Sequence, residues 1–188
     1  MTVQRADARR NYARILAVAE QEVAEHGADA SLEQIARTAG VGSATVRRHF
    51  PGRRAMLRAV FNERIEALGA RAESLAGEND ARAALLDWLG ALTTYAASAR
   101  GMAGLLVQDG TDPDDPEHVN ACSVKLEGAA EPLLRNAARA GAVAPDVTVA
   151  DLVTLVTGIA LATERHADPI AEAHRLLKLT VAGISPRS

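Results

Sequence analysis

Cysteine and aromatic residues are nearly absent from this 188-residue chain: one Cys, one Trp, two Tyr and two Phe. With Cys122 alone, no intrachain disulfide can form. Taken by itself, Cys122 is a small core residue or, as the alternative, a redox-sensing thiol. β-Branched residues are scattered, and no stretch alternates with period two between turn residues, which excludes a strand-built fold. No apolar run approaches the roughly 18 residues of a membrane span. The opening segment MTVQRADARRNYAR has no apolar stretch of the signal-peptide kind, so the cytoplasm is the expected location. Metal-ligand spacing is missing among His26, His49, His118, His166 and His174, and Asp112, Asp114 and Asp115 lack the rest of a calcium loop. There is no phosphate-cradling glycine loop after a strand and no nucleophile elbow. No catalytic residue, metal or cofactor is expected, because no set of titratable groups converges in the way an enzyme needs.

What is present is helix-forming sequence. Apolar residues make up 48% and charged residues 24%, the balance of an ordinary globular chain. The length suits one large domain or a small one followed by a medium one. The net charge of −3 is unevenly spread. Residues 1–64 carry eleven arginines against seven acids, an excess of four positive charges; residues 65–188 carry ten basic residues against seventeen acids. A basic front on an acidic body suits a chain that presents one end to a polyanion.

The expected class is all-α. A first helix from about Ala6 to His26 carries Ile15, Leu16, Ala19 and Val23 as a stripe. Ser31 caps a second, Leu32 to Ala39, with Gln34 placed for a capping box. A third runs from Ser43 to about Phe50, stopped by Pro51-Gly52, and a fourth from Arg53 to Leu75. Longer helices follow, from about Asp80 to Ala99, from Pro116 to about Ala140, from Thr148 to His166 and from Asp168 to Gly183. A short one is expected from Gly101 to Gln108, followed by the acidic loop that starts at Asp109. Pro132 is expected to kink or split the helix that contains it.

Residues 31–50, SLEQIARTAGVGSATVRRHF, have the requirements of a helix-turn-helix. Two short helices crossing steeply need a small residue at their closest approach, and Ala36 is there. The turn needs a positive φ, which Gly40 supplies four residues later. Leu32, Ile35, Val41 and Val46 tie both helices to their support. Ser43, Thr45, Arg47, Arg48 and His49 leave the second helix polar, and its arginines suit guanine edges or phosphates.

This segment resembles the DNA-binding domain of the tetracycline-repressor (TetR) family over roughly residues 8–60. The resemblance rests on Ile35-Ala36, Ala39-Gly40-Val41, Thr45, His49-Phe50 and the basic Arg53 opening the next helix. It implies a helix-turn-helix DNA-binding domain at residues 1–52 and a helical ligand-sensing and dimerisation domain at 53–188. It implies that Ser31 caps its helix and touches a phosphate, that Ser43, Ala44, Arg47 and Arg48 face base edges, and that Thr45, His49 and Arg53 lie near phosphates. Arg47 stands where the family usually has Tyr, and Arg53 where it has Lys, so Arg47 can reach either base or phosphate. Gly42 replaces a common capping Ser.

One recognition helix reads only a few base pairs at ~1–3 kcal/mol per good contact, whereas specific binding exceeds nonspecific binding by ~4–10 kcal/mol. A homodimer on a palindromic double-stranded DNA operator is therefore expected. Its interface is expected on Leu152, Leu155, Val156 and Ile159 of one helix and Ile170, Ala173, Leu177 and Val181 of the next, with filling of the monomer core as the alternative. Trp88, Tyr95, Met102 and Cys122 are the candidates for contact with a small, apolar effector between helices, with ordinary core as the alternative. The resemblance implies that such a ligand tilts the connecting helix and separates the two reading helices, giving a repressor released by its effector. The competing readings are a ligand-independent DNA binder and a helical protein-interaction module.

Overall fold

Helical periodicity with sparse β-formers leads to a chain whose regular structure, among the described residues, is helical throughout. The computed structural model describes residues 2–98 and 116–183. The helices are α1 (Thr2–His26), α2 (Leu32–Thr38), α3 (Ser43–His49), α4 (Arg53–Leu75), α5 (Ala81–Ser98), α6 (Pro116–Arg139), α7 (Val149–Thr163) and α8 (Pro169–Ala182), with a 3-10 turn at Gly27–Asp29. The short helix expected at Gly101–Gln108 and the acidic loop from Asp109 lie outside the described residues. The chain divides into two compact units, Met1–Glu63 and Arg64–Ser188, and the division falls within α4.

In the N-terminal unit the stripe of α1 is the foundation. Ile15, Leu16, Ala19 and Val23 are buried, together with Ile35 and Ala36 of α2, Val46 of α3 and Met56, Leu57 and Val60 of α4. Burial of each large aliphatic stabilises by roughly 1.5–3 kcal/mol. α1 begins at Thr2, four residues before the expected start, since Thr2-Val3-Gln4-Arg5 contains no glycine or proline to stop a helix. Its end is as read: Gly27 takes φ +58°.

In the C-terminal unit α5 is central and packs against α6, α7 and α8. Leu85, Trp88, Leu89 and Leu92 of α5 are buried, as are Leu126 and Leu133 of α6, Val156 and Ala160 of α7, and Ala173 of α8. The Trp88 indole N–H donates to the Leu68 carbonyl at 3.1 Å, so the largest core residue buries no unmet donor. A Cβ on Gly69 would stand 3.3 Å from that of Ala129, which marks a close approach of α4 and α6. The Asn136 amide donates to the Ala76 carbonyl at 2.6 Å, tying α6 to the end of α4. α7 opens on a full capping box between Thr148 and Asp151, and α8 on Asp168 followed by Pro169. Pro132 does not split α6, which runs unbroken to Arg139. It removes one ladder hydrogen bond, and burial of Ala130, Leu133, Leu134 and Ala137 on both sides of it offsets that loss.

Candidate functional site

The two-helix element of residues 31–50 is built from its turns. The Ser31 hydroxyl accepts from the Gln34 backbone N–H at 3.3 Å, the cap read from the sequence. The expected capping box is only half made. The Ser31 N–H donates to the Glu22 carboxylate of α1 at 3.1 Å, so the Gln34 side chain turns along its own helix to Thr38 and Arg37. At the other end of α2, the Val41 N–H reaches the Ala36 carbonyl at 3.0 Å and the Gly40 N–H reaches Arg37 at 3.2 Å. Those are the two bonds of a Schellman motif, and Gly40 adopts the φ of +64° that it requires. Ala36 is buried at the crossing. α3 starts at Gly42 without any side-chain cap, as that substitution for Ser implies.

Burial of Val46 and Phe50 turns the opposite side of α3 outward. Ser43, Ala44, Arg47 and Arg48 are exposed, Thr45 and His49 half-buried, Ser31 half-buried at its cap, and Arg53 exposed at the start of α4. Two of the arginines have acidic neighbours that the sequence reading did not name. Arg47 Nη2 lies 2.8 Å from Glu33 Oε1, and Arg53 Nη1 lies 3.5 Å from Asp29 Oδ1. The bond from Arg47, and then that from its own backbone N–H, holds the Glu33 carboxyl below the usual carboxylate range. Tyr12 of α1 was also missed. Its ring centroid is 5.6 Å from that of His49, edge-on, and 5.6 Å from that of Phe50. It continues the α1 stripe one turn before Ile15 and Leu16, so the 3.6-residue period carried its signal. The element thus presents an exposed polar face with Arg47 and Arg48 on a fixed backbone.

The C-terminal unit carries an open groove with a volume of about 780 Å³, lined by the second half of α4, by α5 and by His174 of α8. Leu68, Leu86 and Ala91 give it apolar wall. Arg71 Nη2 donates to both carboxylate oxygens of Asp87, at 2.8 and 3.0 Å, the Arg64 guanidinium lies 5.4 Å from the Tyr95 ring centroid, and Thr94 meets His174 Nε2 at 2.8 Å. Of the residues expected to meet a ligand, Tyr95 lines this groove. Trp88 does not: it is core, with its N–H occupied by Leu68. Met102 lies outside the described residues. Cys122 falls within α6, but its side chain is outside the description.

The residues expected at a dimer interface divide. Leu152, Val156, Ile159, Ala173 and Leu177 are buried inside the unit itself, and Ile170 is half-buried. Leu155 and Val181 are exposed, and so are Leu161 and Leu179, which the sequence reading did not single out. The apolar set read from periodicity therefore splits: Leu152, Val156, Ile159, Ala173 and Leu177 fill the unit's own core, while Leu155 and Val181 face out together with Gly158, Leu161 and Ala162 of α7 and Leu179 of α8.

Among the described residues, no cluster of His, Cys, Asp and Glu could hold a metal ion, and no helix is long and apolar enough to cross a membrane. Residues 15–60 match the family model for bacterial regulatory proteins of the tetR family, and residues 80–186 match that for the SbtR-like transcriptional regulator C-terminal domain. The fold is similar to that of a TetR transcriptional regulator from Streptomyces coelicolor, at 33% identity over 94% of this chain and 99% of that one, with a TM-score of 0.69. A TetR regulatory protein from Mycobacterium vanbaalenii is similar at 29% identity, covering 97% and 99%, with a TM-score of 0.65. The Bacillus subtilis transcriptional regulator FadR, solved in complex with stearoyl-CoA, shares the fold at 19% identity, covering 93% and 100%, with a TM-score of 0.59. No curated protein matches the chain.

Proposed function

The chain belongs to the TetR family of bacterial regulators, and from that premise we propose that it is a cytoplasmic repressor which binds a pseudo-palindromic operator as a two-fold dimer and leaves it when a small apolar molecule occupies the C-terminal unit. The observation that carries the reading is the outward face of α3. Arg47 and Arg48 are exposed on a helix whose opposite side, Val46, is fully buried, so the basic edge is held outward rather than free to fold back. A helix so mounted can enter a major groove, and arginine forks suit guanine O6 and N7. Ser43 and Ala44 share that face, while Ser31, Thr45, His49 and Arg53 supply hydrogen bonds and charge for the flanking phosphates.

The sensing part rests on the groove and on α4. Arg53 opens that helix, while Leu68 and Arg71, further along it, line the groove. An occupant that displaces the second half of α4 acts on the helix that carries Arg53. That the fold can hold a ligand is supported by Bacillus subtilis FadR, which binds stearoyl-CoA.

The test is enrichment of bound sequences from a random DNA pool, followed by anisotropy titration of the winner across a salt series. The expected result is one palindromic motif, two protomers per site, and an affinity that falls steeply with salt. Salt-sensitive binding with no enriched motif would remove sequence reading from the proposal. A folded protein that ignores DNA at low salt would overturn it and favour a protein-interaction module.

A further inference from the structure

Arg47 is the one residue of the α3 face whose destination the sequence left open between base and phosphate, and its surroundings decide between the two. Left to itself, a guanidinium at a DNA surface goes to the phosphates, which carry the charge and take most protein–DNA hydrogen bonds. Arg47 is not left to itself. One of its terminal nitrogens is 2.8 Å from the Glu33 carboxylate, which comes from the first turn of the other helix of the element. The helix that carries that carboxylate, α2, is locked to its place by Ile35, Ala36 and the Schellman bonds at Gly40. Arg47 is thus gripped from outside its own helix by a rigid element. Its positive charge is offset, and one edge of its fork is occupied. What remains is a second set of coplanar N–H donors on the face shared with Ser43 and Ala44, all exposed. Burial of both Ile35 and Val46 fixes α2 and α3, so the pair spans the two helices without needing either to move.

We propose that Glu33 is a positioning residue for DNA reading: its carboxylate withholds Arg47 from the phosphate backbone and turns the free edge of the guanidinium to one base pair in each half-site. This inference rests on the DNA-reading function proposed above. An isolated exposed ion pair contributes little to stability, so the role of this one is in where the cation points.

Affinity of the full chain is measured by competition against operator variants carrying each single base-pair change, for wild type, Glu33→Gln, Arg47→Ala and the double variant, each across a salt series. Wild type discriminates at the Arg47 base pair by roughly tenfold, the scale of one bidentate contact. Glu33→Gln reduces that preference to about twofold or less at the same base pair as Arg47→Ala. It also steepens the dependence of log affinity on log salt by about two, as one freed arginine per protomer moves to phosphate. In the double variant the removal of Glu33 adds nothing at that position. An unchanged base profile in Glu33→Gln overturns the proposal, and so does an equal loss on operator and nonspecific DNA, the mark of a purely structural role. Wild type without any base preference overturns both this inference and the DNA-reading function beneath it, whereas a selective wild type with an indifferent Glu33→Gln overturns this inference alone.

Discussion

Arg48 and Gly40 stand at the two extremes of what a single residue does in the reading element. Arg48 is exposed and has no hydrogen bond or ion pair among the described residues, so its side chain contributes nothing to the fold. Arg48→Ala is expected to lower operator affinity at least about tenfold, by anisotropy, while unfolding stability stays within roughly 0.5 kcal/mol of wild type. Gly40 touches nothing that a Cβ would strike, yet its φ is +64°. Gly40→Ala is therefore expected to cost about 1–2 kcal/mol through backbone strain alone, read by urea unfolding. Both residues were legible: a positive-φ turn and an outward basic edge follow from spacing. Glu33 and Asp29 were not, because an exposed acid carries no periodic signal of its partner. Arg47 is fourteen positions from Glu33, and only the fold makes them neighbours.

At the scale of elements, helix ends were more readable than helix partners. Ser31, Thr148 and Asp168 all cap as their residue types dictate. The capping box at Ser31 failed because Glu22, from another helix, took the N–H that Gln34 was expected to satisfy. α3 lacks a side-chain cap at Gly42, whose φ and ψ of −69° and 145° suit serine, and a Cβ there meets nothing closer than 4.0 Å. Gly42→Ser is expected to stabilise the N-terminal unit by a few tenths of a kcal/mol, visible as a small rise in urea midpoint. α7 gives a pH dependence. Bonds from the Thr148 side chain and backbone hold the Asp151 carboxyl below its ordinary value. Its contribution is present above the unfolded value near pH 4 and is lost as pH falls through the lower folded value. Asp151→Asn is therefore expected to flatten the acid limb of a Tm-against-pH curve below about pH 4, relative to wild type.

The molecule as a whole carries its positive excess in residues 1–64 and its negative excess in the rest. A polyanion attracts the first stretch and repels the second. The larger unit also leaves Leu155, Leu161, Leu179 and Val181 exposed on its last two helices, and a second copy is the occupant proposed for that face. Sedimentation is expected to report a dimer for wild type and a monomer for Leu155→Glu/Leu161→Glu, with the unit still folded because both side chains lie outside its core. A dimer in that variant would move the interface elsewhere. Periodicity showed that α7 and α8 are apolar, but a helix that is apolar on two sides does not say which side its own chain will fill. For Leu152, Val156 and Leu177 the answer came only from α5 packed against them.

Trp88 is the chain's only tryptophan, and it is enclosed with its indole N–H bonded to the carbonyl of Leu68 on α4. That makes it a built-in optical probe. Its emission, read without labels and excited at the red edge of the absorption band where Tyr12 and Tyr95 do not absorb, is expected to be blue-shifted in the resting protein. It should move toward the red whenever an effector pulls α4 away from α5, so candidate ligands can be ranked by colour before the operator is known.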